Sequence, residues 1–412
     1  MSEAAHTPRL RFPEFSGEWE NEVVGNISNK VTDGTHDTPK PSSTGVPYIT
    51  AIHVKDGVID FDRCYYLSIE EHKKIYSRCN PEKNDILMVN IGAGTATTAL
   101  INIDYEFSLK NVALIKPNKL KSSSKFLVQS LRYKSGRLHH QLTSGGAQPF
   151  LSLKEIKRIK LNLPTKPEQQ KIADFLTAVD NKIEQLSKKQ ALLSEYKKGL
   201  MQQIFSQAIR FKADDGIEFP EWEEKKLGGV VDNVGGTALE KYTNPKETHK
   251  FISIGNYGVD GKYIDNGQRV ELNNKTKTKL LDKDNLVMVL NDKTAAGNIV
   301  GSTILIDESD SYIYNQRSER LICKSELFPI FAWHYLNSKI FRKSVYSISQ
   351  GGTQIYVNFP SVKELNFSLP SLLEQTKIAN FLSSIDTKIE QVGKQLDESK
   401  QFKKALLQQM FV

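Results

Sequence analysis

Two stretches of this chain of 412 residues, PEQQKIADFLTAVDNKIEQ at 167–185 and LEQTKIANFLSSIDTKIEQ at 373–391, are nearly identical. They lie 206 positions apart (373 − 167 = 206), and the match extends without a gap over residues 143–205 and 349–411. Self-similarity on this scale is typical of a tandem duplication. Each half of the chain therefore consists of a variable segment followed by a shared segment.

The shared segment is predicted to form one long helix in each half. Thr165 with Glu168, and Ser371 with Glu374, have the S/T-x-x-E spacing of a capping box. Behind each cap, apolar residues recur at alternating intervals of four and three, which is the spacing of a two-helix coiled coil. No proline follows the first turn, so each helix would span about 38 residues, or about 57 Å. A core helix inside a bundle is the alternative.

The connection between the halves predicts how the helices pair. The second variable segment follows the end of the first helix and leads into the second helix at Pro370. We therefore expect the helices to be antiparallel, with the variable domains at opposite ends and a pseudo-twofold axis through the pair. The predicted divisions are two variable domains and two helices, at 1–163, 164–210, 211–369 and 370–412.

The variable segments combine strands and helices. Short β-type runs such as VPYITAIHV, DILMVNI and NLVMVL are separated by turns rich in Gly, Asn and Asp. A helical stretch falls late in each segment. The predicted fold class is α+β: two globular domains with twisted sheets, joined by two long antiparallel coiled-coil helices as a pseudo-twofold internal repeat.

Positive charge is concentrated just before the first helix. The chain has a formal net charge of +8, and eleven Lys or Arg residues but only one acid, Glu155, lie between Lys116 and Lys160. Clustered cations of this kind neutralise nucleic-acid phosphates. A solvated surface is the alternative, and the position beside a Gly/Gln loop favours DNA.

Polar loops are the candidate DNA contacts. TSGGAQ at 143–148 and SQGGTQ at 349–354 combine glycines, which let a ligand approach the backbone, with a glutamine that is both donor and acceptor. Four further loops suit hydrogen bonds to base edges: TDGTHDTP at 32–39, NIGAGT at 90–95, NDKTAAGN at 291–298 and YNQRS at 314–318. The candidate residues are Thr32, Asp33, Gly34, His36, Asn90, Gly92, Gly94, Thr95, Gly146, Gln148, Lys293, Asn315, Arg317, Gly352 and Gln354. Structural turns are the alternative for the loops, and an ion pair with Glu319 or another acid is the alternative for Arg317.

Motifs of catalysis are missing from the sequence. There is no PP dipeptide, which excludes the [DN]PP[YF] element of an adenine methyltransferase, and there is no GxxxxGK[ST] phosphate loop. The three cysteines form no CxxC pair, and His139 and His140 have no Cys or acid at ligand spacing, so no metal site is expected. No stretch approaches the ~20 apolar residues of a membrane span, and no signal segment is visible. We expect a non-catalytic cytoplasmic protein without a membrane partner.

These features together resemble one protein family. A variable α+β domain, then GGxQ, then LP...EQxKIAxFL, all repeated once, is similar to the specificity (S) subunit of type I restriction–modification systems. The resemblance covers essentially the whole chain. DGTHDTP at 33–39 also resembles an element of that family's target-recognition domains, whereas the second domain departs from it with DNVGGTALEKYTNP from Asp232.

The resemblance implies a subunit that recognises double-stranded DNA by sequence. Each variable domain would be a target-recognition domain for one half of a bipartite, asymmetric site. The helices would set the unread spacer and dock two modification subunits. No cofactor is expected in this chain, while S-adenosylmethionine, ATP and Mg would belong to the modification subunits and to restriction subunits with translocase and nuclease activity.

Three other functions are weighed against this one. A stand-alone bipartite DNA-binding regulator would bind DNA tightly and specifically without partner subunits. A structural coiled-coil adaptor would not bind nucleic acid even at low salt, where binding driven by Lys and Arg is strongest. A fused methylase-nuclease is nearly excluded by the missing motifs.

Overall fold

The computed structural model describes residues 7–55, 57–143 and 149–412. The chain divides into two compact units, the first made of Met1–Ser187 with Lys394–Val412 and the second of Lys188–Gly393. Each unit thus takes one globular domain and a part of both long helices. The four-part division predicted from the sequence, which separates the helices from the domains, stays a prediction.

The first unit contains eleven strands and three complete helices among its described residues, and the first long helix begins in it. In chain order the elements are β1 (Glu20–Val23), β2 (Ser28–Asp33), β3 (Val46–Thr50), β4 (Val54–Lys55), β5 (Val58–Ile59), β6 (Tyr65–Leu67), α1 (Ile69–Cys79), β7 (Ile86–Val89), β8 (Thr98–Leu100), β9 (Ser108–Lys110), β10 (Val112–Pro117), α2 (Ser124–Thr143), α3 (Leu153–Arg158), β11 (Lys160–Leu163) and α4 (Lys166–Phe205). An antiparallel sheet has the order β2-β10-β7-β8, a mixed sheet has the order β6-β3-β9, and β1 pairs with β11 directly before α4.

The second unit follows the same plan. Its elements are β12 (Glu223–Lys226), α5 (Leu227–Val230), β13 (Val231–Gly235), β14 (His249–Ile252), β15 (Arg269–Val270), β16 (Leu286–Val289), β17 (Asn291–Asp292), β18 (Thr303–Leu305), β19 (Tyr312–Tyr314), β20 (Ser318–Cys323), α6 (Pro329–Leu336), α7 (Lys339–Ser347), β21 (Gln350–Gly351), β22 (Ile355–Tyr356), α8 (Phe359–Lys363), β23 (Asn366–Leu369) and α9 (Leu372–Met410). The antiparallel sheet has the order β13-β20-β16-β18, the mixed sheet has the order β15-β14-β19, and β12 pairs with β23 directly before α9. The predicted α+β fold class with an internal repeat is confirmed.

The central strand of each antiparallel sheet is buried on both faces. Along β7, Ile86 and Met88 enter the core that contains α2 and the start of α4, whereas Leu87 and Val89 enter the core formed with the mixed sheet. Successive side chains of a strand point to opposite faces, so an uninterrupted apolar run such as ILMV fits a strand with a core on each side. The run LVMV of β16 divides between two cores in the same way.

A Glu-Gln pair anchors the start of each long helix to its domain. The Glu168 carboxylate accepts hydrogen bonds from Arg11 Nε at 2.7 Å and from Trp19 Nε1 at 3.3 Å, and the Glu374 carboxylate accepts from Trp222 Nε1 at 3.0 Å and Arg210 Nη2 at 3.3 Å. Ser371 Oγ does accept from the Glu374 amide at 3.4 Å, but the glutamate side chains bond elsewhere. The prediction that each glutamate carboxylate completes a capping box is therefore wrong. The two carboxylates instead bind the arginine and tryptophan of the segment that begins each domain.

Among the described residues, the glutamine side chain of each pair bonds to main-chain atoms. Gln169 Oε1 accepts from the Ser123 amide at 2.9 Å, and its amide nitrogen donates to the carbonyl oxygens of Lys121 and Pro164. In the second unit the same side-chain atoms of Gln375 bond to the amide of Phe328 and the carbonyls of Glu326 and Pro370. Buried amide side chains need such partners, and these bonds fix the late helix of each domain against the long helix.

In each unit a lysine–aspartate ion pair joins the two long helices. In the second unit Lys197 Nζ lies 2.7 Å and 2.6 Å from the two carboxylate oxygens of Asp386. In the first unit Lys403 bonds to Asp180, and both residues lie 206 positions from their counterparts (403 − 197 and 386 − 180). A residue near the end of one helix meets a residue near the start of the other in both units, which confirms the antiparallel pairing.

Removing Lys197 is expected to destabilise the second unit. Lys197→Ala leaves the Asp386 carboxylate mostly buried without its cation, so we expect the free energy of unfolding to fall by about 3 kcal/mol. In Lys197→Ala/Asp386→Ala neither charge is left unpaired, so the loss should be smaller than the two single losses added. Denaturant titrations followed by circular dichroism measure these values, with Lys189→Ala, an exposed lysine of α4, as the control. Strictly additive losses would contradict the coupling.

Candidate nucleic-acid interface

One end of each antiparallel sheet gathers the predicted polar loops. In the first unit β2 ends, β10 begins and β7 ends at the same side of the sheet, because the three strands are neighbours and antiparallel. Thr32 and Asp33 close β2, and the loop of residues 90–95 follows β7. The structure therefore brings together two of the loops that the sequence predicted separately.

Asp33 organises the loop after β2. It is 6% exposed, and its carboxylate accepts from Arg78 Nη2 at 3.1 Å and lies 2.9 Å from Nε2 of the exposed His36. The other ring nitrogen of His36 lies 3.2 Å from Asn111 Oδ1. Both ring nitrogens of this exposed histidine therefore lie within hydrogen-bond distance of oxygen atoms of the first unit.

The loop after β7 is tied to the segment that follows the first Gly/Gln loop. The amide of Gly92 donates to the carbonyl of Pro149 at 2.9 Å, and Thr95 Oγ1 donates to the carbonyls of Gly92 at 2.6 Å and Pro149 at 3.1 Å. Asn90 is buried, and its Oδ1 has no hydrogen-bond partner among the residues that the structure describes. Gly94 lies within this loop, while Gly146 and Gln148 lie outside the described residues.

The second Gly/Gln loop is a β-hairpin. Strands β21 and β22 pair on either side of it, and β22 pairs in turn with β17, which places Tyr356 opposite Asn291. Gly352 and Gln354 are exposed in this hairpin, and Lys293 is exposed in the loop that follows β17. The hairpin and the loop that were predicted to contact DNA are thus neighbours.

Two candidates of the YNQRS segment have different surroundings. Arg317 is exposed and forms no ion pair with any residue in the described part of the chain, while Glu319 accepts from Asn233 Nδ2 at 2.5 Å. Asn315 is 5% exposed, and its side chain bonds to the Leu239 amide and the Glu240 carboxylate. Arg317 is therefore available to a ligand, whereas Asn315 holds two loops together. Contacts of either residue with DNA stay predictions.

A close backbone approach is common to both units and was missed in the sequence. A Cβ atom on Gly34 would lie 2.1 Å from the carbonyl oxygen of Leu109, and one on Gly236 would lie 1.9 Å from that of Asn315. In both units the next residue, Thr35 or Thr237, forms a parallel bridge to the neighbouring segment. The second domain, which departs from DGTHDTP in sequence, therefore keeps its Gly-Thr pair, at an offset of 202 rather than 206 (236 − 34).

Gly236→Ala is expected to disturb the end of the second sheet. No side chain fits at 1.9 Å from a carbonyl oxygen, so the strand or the loop must move, at a cost of about 2 kcal/mol. Gly352→Ala is the matched control, because nothing lies within 4 Å of the Cβ position at Gly352. Thermal unfolding of both variants measures the difference. Equal melting temperatures for Gly236→Ala and the wild type would contradict the close approach.

Two exposed aromatic residues at this end of the sheets were also missed. Phe150 is 52% exposed and bridges to Ile91, and Tyr356 is 40% exposed and pairs with Asn291. They are equivalent residues of the repeat, because they lie 206 positions apart (356 − 150). Exposed aromatic rings can stack on bases and pack against sugars. The alignment of two aromatic residues within the duplicated block was a signal in the sequence that could have identified this pair.

The basic stretch before α4 is only partly available to DNA. Lys116 Nζ lies 2.7 Å from Asp85 and 3.2 Å from Glu82, and Lys134 Nζ donates to the carbonyl of Val412 at 3.0 Å. Lys134 is partly buried, and this burial lowers its pKa. The density of cations in the sequence therefore overstates the charge that the surface offers.

Within the described residues, no group of three or more His, Cys, Asp or Glu side chains is placed to hold a metal ion. None of the described helices is both long and apolar enough to cross a membrane.

Comparisons with known proteins agree over most of the chain. A family model described as the type I restriction modification DNA specificity domain matches residues 17–194 and 220–398. The type I restriction enzyme MjaVIII specificity subunit of Methanocaldococcus jannaschii is 29% identical over 370 residues, which are 88% of this chain and 84% of that protein. The putative MjaX specificity subunit of the same organism is 23% identical over 407 residues, 96% of this chain and 93% of that protein.

Solved structures share the fold. The crystal structure of the type I restriction–modification S subunit from M. genitalium superposes with a TM-score of 0.62 at 17% identity, covering 98% of this chain and 99% of that one. A chain from a structure of the assembly and conformational transition of the type I system has a TM-score of 0.52 at 16% identity, with 94% and 96% covered.

Proposed function

Because the chain belongs to the type I restriction–modification DNA specificity family, we propose that each of its two units reads one half of a bipartite, asymmetric site in double-stranded DNA. Specificity subunits are the non-catalytic component of these systems; they recognise DNA by sequence and assemble with the other subunits. The assignment of one unit to each half-site is the finer statement that we propose here.

The observation that carries the proposal is the loop cluster at the end of each antiparallel sheet. Both units place a loop after the central strand, an exposed aromatic residue and a Gly-Thr turn at that end. The frame is shared but the polar side chains differ: His36 follows the turn in the first unit, whereas the second unit has an alanine at 238 and offers Lys293 and Arg317. Different side chains on one frame favour two different half-sites.

Each exposed candidate of the second unit suits a particular contact. The Arg317 guanidinium can donate two parallel hydrogen bonds to O6 and N7 of guanine, and the Gln354 amide can pair with adenine in the same way. Lys293 suits a phosphate, which adds affinity without sequence information. Tyr356 offers a ring for stacking or for packing against a thymine methyl group. Gly34 and Asn315 are proposed to act by holding the loops that carry such contacts.

Removing Arg317 tests the assignment directly. In cells that also contain the partner modification subunits, Arg317→Ala is expected to relax or abolish recognition at one base pair of one half-site, a loss of about 1–3 kcal/mol. Mapping methylated adenines across the genome measures this, and the other half-site should keep its sequence. Lys283→Ala is the matched control, because Lys283 is an exposed cation in the turn before β16, at the far end of that strand. A methylation motif unchanged by Arg317→Ala would contradict the proposed contact.

The long helices are proposed to set the unread spacer and to dock two modification subunits. Support comes from their length, 40 residues in α4 and 39 in α9, and from the contribution of each helix to both units. We further propose that S-adenosylmethionine is bound by the modification subunits, that ATP and Mg are used by restriction subunits, and that the complex acts in the cytoplasm, where it meets DNA.

Lengthening both helices tests the spacer role. One heptad inserted after Gln190 and another before Gly393 would add about 10 Å of helix at ~1.5 Å per residue, or about three base pairs. Gly393 is the position opposite Gln190, since a Cβ on it would lie 2.7 Å from Gln190 Nε2. The mapped methylation motif is expected to gain spacer bases and to keep both half-sites. An unchanged spacer in a folded variant would contradict the role.

A further inference from the structure

A cavity in the second unit has no role in the function proposed above. It has a volume of about 460 Å³ and lies where the end of α4, the loop after β14, the region of α6 and α7, and the start of α9 meet. Cavities of 300–1,000 Å³ are the usual size for small-molecule sites. Its apolar wall includes Met201, Trp333 and Ile389.

Cationic side chains dominate the charged part of the wall. Lys197, Lys198, Lys262, Lys339 and Arg342 line the cavity, against two carboxylates, those of Asp260 and Asp386. His334 also lines it, and burial together with the nearby lysines lowers the pKa of this imidazole well below its usual value, so the ring adds no charge. The cavity therefore has a surplus of positive charge.

Two of the cations already have anionic partners. Lys197 is bound to Asp386 by both carboxylate oxygens, and Lys262 Nζ lies 2.5 Å from Glu390. The side chain of Asp260 accepts from the amide of Lys262 at 3.2 Å. Of the two carboxylates of the cavity wall, that of Asp386 is thus paired with Lys197, and that of Asp260 forms no ion pair with Lys198, Lys339 or Arg342.

The other three cations form no ion pair with the residues that the structure describes. Lys198 and Lys339 form no ion pair with any residue in the described ranges, and both are exposed. Arg342 donates from Nε and Nη2 to the carbonyls of Val300 and Asn298, each at 2.9 Å, which leaves Nη1 without a described partner. Burial lowers the pKa of Arg342 to about 10, although the charge of the Asp292 carboxylate acts in the opposite direction.

We propose that this cavity binds a small phosphorylated ligand of mononucleotide size. Lys198, Lys339 and Nη1 of Arg342 hold the phosphate, and the rest of the ligand packs against Met201, Ile389 and Trp333. Lysine and arginine together suit a phosphate, because guanidinium donates in a fixed plane while ammonium groups adapt as point charges. The chemistry does not depend on DNA recognition by the loops at the end of the sheet.

The first unit arranges the equivalent position differently. Arg132 lies nine residues after Ser123, as Asn337 lies nine after Phe328, and Ser123 and Phe328 are the residues whose amides bond the anchoring glutamines. Arg132 Nη1 lies 3.3 Å from Asp180, the counterpart of Asp386. In the first unit Arg132 thus lies beside Asp180, whereas in the second unit the shorter Asn337 occupies the equivalent position and lines the cavity. Lys339 and Arg342 have counterparts in Lys134 and Arg137 (339 − 134 = 342 − 137 = 205), but Lys134 Nζ donates to the carbonyl of Val412, so the proposal is made for the cavity of the second unit.

The experiment measures ligand binding to the full chain in the absence of DNA. Isothermal titration with inorganic phosphate, adenosine monophosphate and adenosine separates the contribution of the phosphate from that of the ring. We expect both phosphates to bind, the nucleotide more tightly, and adenosine to bind at least tenfold more weakly than the nucleotide. Because hydrogen bonds to charged groups are strong, Lys198→Ala/Lys339→Ala should lose at least about tenfold in affinity for the nucleotide.

Lys404→Ala is the matched control, because Lys404 is the counterpart of Lys198 in the first unit (404 − 198 = 206). It should bind the nucleotide as the wild type does. The proposal is overturned if neither phosphate binds, if adenosine binds as well as the nucleotide, or if the double variant binds unchanged while its melting temperature matches the wild type. An equal loss in Lys404→Ala would also overturn it, since attraction to lysines in general would then explain the binding.

Discussion

Each unit depends on one buried pair of adjacent residues, the glutamate and glutamine at the start of its long helix. Glu168 and Gln169 are 0% and 1% exposed, and Glu374 and Gln375 are both 0% exposed. Polar groups buried so completely need partners, and these side chains bond within their own unit, except Oε1 of Glu374, which has none among the described residues. The glutamate fixes the segment that begins the domain, and the glutamine fixes its late helix. The sheet, the loops at its end and the helix pair are all built on that joint.

The two variable segments reach one topology through the same physical solution. A central strand with four consecutive apolar residues needs cover on both faces, and each domain supplies it with helices on one side and a small mixed sheet on the other. The loops at the strand ends do not have to be buried on two faces. They differ in length and in residues, which is why Gly34 and Gly236 occupy one structural position at an offset that departs from the main repeat.

The elements that the sequence predicted well are those governed by local pattern. The long helices follow from uninterrupted periodicity, and their antiparallel pairing follows from connectivity, as Lys197 with Asp386 and Lys403 with Asp180 bear out. The sheet order could not be predicted, because strand pairing depends on contacts far apart in the chain. The predicted capping-box role of Glu168 was wrong for the same reason, since its actual partner, Arg11, is 157 positions away in the chain.

The candidate DNA contacts differ in burial and bonding, because composition says little about tertiary partners, and their contacts with DNA stay predictions. Arg317, Lys293 and Gln354 are exposed at one end of the sheet, whereas Asn315 and Asp33 are buried and bonded within their units. Lys116 belongs to a dense basic stretch but is neutralised by Asp85. Phe150 and Tyr356 were overlooked although the duplicated block aligns them, since aromatic residues in a sequence are usually assigned to the core.

The bonds of the anchoring glutamines have an evolutionary consequence. Gln169 and Gln375 form hydrogen bonds with backbone amides and carbonyls, so these bonds do not depend on which side chains the partner residues carry. The partners are Ser123, Lys121 and Pro164 for Gln169, and Phe328, Glu326 and Pro370 for Gln375. Any new segment that arrives with a helix starting at the right distance presents the same amides and carbonyls. Recombination can therefore replace an entire variable domain without a compensating change in the Glu-Gln pair that anchors it to the long helix.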